Sequence, residues 1–124
     1  KGFKELNDAI QKRAQHGVVT ALDGRPIRLQ GKNHAALNYL LQSAGAIICK
    51  LWVLRTTQLL KEAKIDYWPL AFVHDEMQLS VLPDQAEEAC KLIKQAMKDV
   101  RTELAFRCEL DSDTQIGRTW ADTH

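Results

Sequence analysis

The residues best placed to do chemistry are His74, Asp75 and Glu76. They sit between two strand-like runs, Pro69–Val73 and Met77–Leu82, within the stretch Leu70–Val81. The first run is apolar without a break. The second alternates, as expected when one strand is more buried than its partner. A carboxylate at the tip of a tight hairpin stands on a rigid support, which is how a sheet presents a metal ligand. A polar β-turn with no chemistry would have the same composition, because Asp is a common turn residue. Spacing alone leaves both readings open.

A second set lies upstream. His34, Asn38, Gln42, Gly45 and Cys49 recur every three or four residues, so a helix stacks them in one row. A helix needing only solubility would place Lys and Glu there. Uncharged amides followed by small residues suit close approach to a surface rich in hydrogen-bond acceptors. Amides bonded to backbone in a helix–helix contact would give the same pattern.

Elements must hold these residues in place. Phe3, Leu6 and Ile10 predict an amphipathic helix over Phe3–Gln15, ended by Gly17. Val18–Leu22 and Pro26–Leu29 flank Asp23-Gly24, a hairpin signal, with Arg25 and Arg28 beside it. Asn33, a candidate N-cap, opens the longest helical pattern, Asn33–Lys64. Its predicted apolar face includes Leu37, Leu40, Leu41, Ala44, Ile47, Ile48, Leu51 and Leu54. A helix is expected after Pro83-Asp84, burying Ala86, Ala89, Cys90, Ile93, Ala96, Met97, Val100 and Leu104. Ala105–Leu110 reads as a final strand, and Trp120 is expected to pack back on the sheet. Helices alternating with antiparallel strands predict an α+β fold, an antiparallel sheet with long helices packed on it.

The composition is globular: 124 residues, 45% hydrophobic and 27% charged. That length suits one compact domain. A formal charge of +1 argues neither for nor against nucleic acid, although free-standing DNA-binding domains are usually more basic. No apolar run reads as a membrane span, since Lys50 interrupts Ile47–Leu54. Cys49, Cys90 and Cys108 are odd in number and widely spaced, so buried reduced thiols are expected and a zinc site is not. The chain opens on Lys1, not Met, and a fragment of a longer polypeptide is expected; a removed tag would leave the same trace.

Phe72-Val73-His74-Asp75-Glu76 resembles the third sequence motif of the A-family (polymerase-I-like) DNA polymerases. The stretch from His34 to Gly45 is similar to that family's palm helix, in which an Asn and a Gln four residues apart contact the minor groove of the primer–template. The Asp23-Gly24-Arg25 hairpin and the closing Gly117-x-x-Trp120 also resemble the family, and the motifs stand in its order. Many bacterial members have Arg at position 34 and Gln-Gly at 42–43. The phage-type replicative members are closer.

The resemblance implies the C-terminal palm segment of such an enzyme, with template-directed nucleotidyl transfer as the activity. It implies two Mg²⁺ ions, primer–template DNA and a deoxynucleoside triphosphate as partners, and the cytoplasm of a bacterial or phage-infected cell. Asp75 would be a catalytic metal ligand and Glu76 a supporting carboxylate. His74 would lie against the primer terminus. Asn38 and Gln42 would line the minor groove, with His34 and Arg25 near DNA. Minor-groove acceptors sit alike in every base pair, so amides can check duplex geometry without reading sequence.

The family's other essential Asp and its triphosphate-binding Lys helix are missing from these residues, so the chain alone is expected not to polymerise DNA. Rival readings are a stand-alone DNA- or partner-binding module, a metal-dependent phosphodiesterase and an inert remnant. Missing strands would leave a sheet edge unpaired and open to self-association.

Overall fold

The computed structural model describes residues 2–123. In chain order these form α1 (Phe3–Ala14), β1 (Val18–Thr20), β2 (Pro26–Arg28), α2 (Ala36–Glu62), β3 (Tyr67–Val73), β4 (Glu76–Val81) and α3 (Ala86–Glu103). Short 3₁₀ turns precede α2 (Asn33–Ala35) and close the chain (Trp120–Asp122). Each pair of strands makes its own two-stranded antiparallel sheet. The architecture is α+β. The chain divides into two compact units, the first running to Ile47 and the second starting at Ile48, with the division inside α2.

In the first unit, Ile27 of β2 pairs with Val19 of β1. The Ala21 N–H donates to the Arg25 carbonyl (2.8 Å) and the Gly24 N–H to the Ala21 carbonyl (3.0 Å). These bonds close a three-residue loop that needs a left-handed residue at its end, and Gly24 supplies it with φ 85°. Ala14, Val19, Leu29 and Ala36 form the buried core, with Ile10, Ile27, Tyr39 and Leu40 packed against them. Phe3 and Leu6, expected on the same stripe as Ile10, are exposed.

In the second unit, Trp52 of α2 is buried with Ala96, Met97 and Val100 of α3. Its indole N–H donates to the Ile93 carbonyl (3.0 Å), so the ring fixes one helix to the other while its polar atom stays satisfied. Arg55 donates to Asp99 at 2.7 Å beside this core. A hydrogen bond from Gln95, and then the Arg55 guanidinium, hold the Asp99 carboxyl below its ordinary range. Met77 of β4 packs on the same cluster, so the hairpin rests on the helical layer. Between α2 and the hairpin lies an apolar cavity of about 260 Å³, lined by Val53, Leu60, Phe72, Met77 and Leu79 among others.

Several expectations are corrected. Ala105–Leu110 is not a strand. Ala105 takes φ 50°, and the Phe106 N–H reaches back to the Arg101 carbonyl (3.0 Å), which ends α3 in a left-handed cap. The Arg101 side chain then holds the Cys108 carbonyl (2.9 Å), and no strand among the described residues is placed to pair there. Asn33 does not cap α2, because its Oδ1 is buried without a hydrogen-bond partner. Leu41 and Leu54, expected on the buried face of α2, are 64% and 66% exposed. Cys108 is exposed and the other two thiols are only half-buried, although all three are free. Trp120 is half exposed. Its turn is held by a capping box in which Asp122 accepts from the Thr119 N–H at 2.8 Å. By length and composition, Asn33–Glu62 is a helix long and apolar enough to cross a membrane, which the break at Lys50 had not suggested. Trp52, Thr56 and Leu60 of this helix are buried, although only 11% of its most apolar stretch is.

Candidate nucleic-acid and metal-ligand site

The ladder of β3 and β4 ends at the pair Val73–Glu76, so the turn contains only His74 and Asp75. Two-residue hairpins need left-handed backbone at the tip, and His74 takes it with φ 56°. A non-glycine residue there is uncommon and strained. Its effect is to hold Asp75 at the outermost point of the hairpin, with both turn side chains exposed. Glu76, expected in the turn, is instead the first residue of β4. It is half-buried and accepts a hydrogen bond from the Gln78 side-chain amide. The two adjacent carboxylates therefore differ: Asp75 is presented outward, and Glu76 is tied along its own strand.

On α2, Asn38, Gln42 and Gly45 are exposed and Cys49 is half-buried on the same row. Among the described residues no helix–helix contact seals these amides. A Cβ added at Gly45 would meet nothing within 4 Å, so no neighbour among the described residues requires glycine there. Burial, and after it the nearby Asp75 carboxylate, push the Cys49 thiol above its ordinary range. Within the second unit, then, the hairpin tip and the Cys49 position lie within electrostatic reach of each other. Sequence reasoning placed both residues and missed their proximity. Only the three-dimensional return of the hairpin onto α2 creates it.

His34 does not share the α-helical row, because it lies in the 3₁₀ turn before α2, where three residues per turn rotate it off that line. It is exposed. Arg25, in the first unit, is exposed but engaged: its Nε donates to Asp23 at 2.6 Å, and Nη2 lies 2.5 Å from the same oxygen. The hydrogen bond raises the Arg25 pKa and lowers that of Asp23. The Asp-x-Arg spacing carried that signal. Asn38, Gln42, His34 and Arg25 belong to the first unit, and His74, Asp75 and Glu76 to the second.

No group of three or more His, Cys, Asp or Glu among the described residues could hold a metal ion. A pair of divalent ions needs more carboxylate than one exposed Asp and one tethered Glu provide. The described residues do not fit a complete two-metal site. Asp75 presents one exposed carboxylate.

The family model for DNA polymerase family A matches residues 4–122. The DNA-directed DNA polymerase of Escherichia phage T7 is 39% identical over 113 residues, covering 86% of this chain and 16% of the phage protein. That of Enterobacteria phage T3 is 37% identical with the same coverage. DNA polymerase I of Aquifex aeolicus is 29% identical over 97% of this chain and 21% of its own length. A solved structure, the POL domain of Pol1 from M. smegmatis in complex with DNA primer-template and dNTP, shares the fold with a TM-score of 0.70 at 23% identity. It covers 78% of this chain and 19% of that one. The chain thus spans about a fifth or less of the length of these relatives. With a family match running from Lys4 to Asp122, the chain belongs to DNA polymerase family A.

Proposed function

We propose that this chain is the palm segment of a template-directed DNA polymerase. The observation that carries the reading is Asp75, held exposed at the tip of a two-residue hairpin inside the family match. In the reaction of the complete polypeptide, the primer 3′-oxygen forms a bond to the α-phosphorus of a deoxynucleoside triphosphate. The bond to pyrophosphate breaks. Asp75 would supply one carboxylate to a divalent-metal site, with Mg²⁺ the natural choice for carboxylate and phosphate oxygens. Glu76 would support it along the strand. His74 would lie against the primer end.

The exposed amides of Asn38 and Gln42 would donate to minor-groove acceptors. This contact confirms duplex shape and tolerates any base pair, as copying requires. His34 and Arg25 would contact DNA nearby; Arg25 would first have to exchange Asp23 for a phosphate. The partners are primer–template DNA and a deoxynucleoside triphosphate, and the place of action is the cytoplasm of a bacterial or phage-infected cell.

The test is primer extension. The 124-residue chain alone should give none, because one carboxylate cannot assemble the site. In a complete polypeptide carrying this segment, Asp75→Ala should lower extension at least about a hundredfold, the scale of losing a group that stabilises transition-state charge. Duplex binding should change little. Extension that survives Asp75→Ala would overturn the reading. Asn38→Ala and Gln42→Ala should weaken binding to every duplex sequence alike. Loss confined to particular sequences would exclude a minor-groove geometry check.

A further inference from the structure

We propose that Asp23 stands in for a DNA phosphate: it fills the anion seat of Arg25 in the free protein and so limits how tightly, and with how much dependence on salt, this hairpin holds a duplex. The proposal rests on the reading that Arg25 contacts DNA in the complete polypeptide.

The seat is built within one turn. Asp23 Oδ1 accepts from the Arg25 N–H at 3.2 Å, which fixes the carboxylate over its own backbone. Its Oδ2 accepts from Arg25 Nε at 2.6 Å, with Nη2 at 2.5 Å. Gly24, left-handed at φ 85°, stands between the two residues and lets the chain double back.

Nε and Nη2 form an edge of the guanidinium that can grip an oxyanion through two N–H groups. A phosphate cannot take that edge while Asp23 holds it. The Arg25 side chain is 69% exposed, so an incoming phosphate can reach the pair and displace the carboxylate. Arg28, on β2 of the same hairpin, is exposed and has no carboxylate at ion-pair distance among the described residues. The hairpin therefore holds one of its two arginines and leaves the other open.

Each phosphate neutralised by a protein cation releases a condensed counterion. At Arg25 that release is offset, because the freed Asp23 carboxylate takes up a cation in turn. The contact then positions the duplex while adding little affinity. A copying enzyme must remake such a contact at each successive phosphate, and a carboxylate waiting beside Arg25 lowers the cost of letting go.

The experiment measures duplex binding by the complete polypeptide over a sodium chloride series, with Asp23→Asn and Arg25→Gln made singly and together. Asparagine keeps the turn, because its side-chain oxygen also accepts from the residue 25 N–H, and removes only the charge. Asp23→Asn should tighten binding roughly two- to fivefold at low salt, the range of an exposed ion pair. It should also steepen the logarithmic salt slope by about 0.9. In the Arg25→Gln background the same substitution should change both far less.

Tightening of equal size in the two backgrounds would show plain repulsion between Asp23 and DNA and would overturn the proposal. Asp23→Asn binding as the wild type does, with Arg25→Gln weaker, would also overturn it: Arg25 would touch DNA without a competitor. If neither substitution alters binding while Asn38→Ala and Gln42→Ala still weaken it, the hairpin lies off the duplex. The proposal then fails and the amide row stands. Failure of the polymerase reading itself is seen separately, as extension that survives Asp75→Ala.

Discussion

Gly45 separates what this chain needs for itself from what it needs for a partner. Glycine inside a helix costs roughly 0.8–1 kcal/mol relative to alanine, because its backbone loses more freedom on folding. No described residue approaches the position where its Cβ would stand. Gly45→Ala should therefore stabilise the protein by roughly 1 kcal/mol, a rise in melting temperature of about 3–6 °C for a chain of this size. The same methyl group would stand on the exposed row between Gln42 and Cys49. In a complete polypeptide it should weaken duplex binding even as it raises stability. A variant that is more stable and binds as before would remove Gly45 from the proposed surface. Asp75 lies at the opposite extreme. It is exposed, and the strain of its turn sits on the neighbouring His74 at φ 56°.

At the scale of the element, two helices end in the same way without the residue that usually ends them. α2 closes with Lys64 at φ 58°, and the Ile65 N–H bonds to the Leu60 carbonyl at 2.9 Å. α3 closes with Ala105 at φ 50°, and the Phe106 N–H bonds to the Arg101 carbonyl at 3.0 Å. Both are left-handed caps, at which glycine is favoured because a Cβ crowds the carbonyl oxygen. Ala105→Gly should raise the urea midpoint by an amount equivalent to about 1 kcal/mol with no change in slope. A fall would show that the cap does not form. The missing glycine also explains why Ala105–Leu110 reads as a strand. Apolar residues alternate there, no terminator interrupts them, and the cap is visible only in the backbone. The hairpin of β3 and β4 was legible because its alternation, turn residues and arm lengths all agree. The Leu70 bulge was not, because periodicity registers an apolar residue without its pairing partner. The apolar face of α2 was misjudged at Leu41 and Leu54 for a related reason. From Ala44 to Leu54 the helix is apolar nearly all round, so the sequence marks no single face, and burial depends on which neighbours are present.

For the molecule as a whole, the two units have separately built cores. One is closed by Ala14, Val19, Leu29 and Ala36, from short elements. The other is closed by Trp52, Ala96, Met97 and Val100, across two long helices with the Trp52 hydrogen bond and the Arg55–Asp99 pair beside them. Small side chains bury little apolar area, so the first core should open at lower free energy than the second. Native-state hydrogen exchange should therefore show two tiers of protection, with amides of α1, β1 and β2 below those of α3. Leu29 and Leu60 are both fully buried, one in each unit, and truncation of either should cost about 2–5 kcal/mol where it acts. Leu29→Ala should lower the first tier and leave α3 protected. Leu60→Ala should lower the protection of α3. Under the proposed function, DNA would approach the exposed amides of one unit while the other holds a carboxylate steady, and independent cores would permit that. If either variant lowered every protected amide equally, the chain would unfold as one cooperative unit, and the exposed row and the hairpin would have to be treated as parts of one rigid surface.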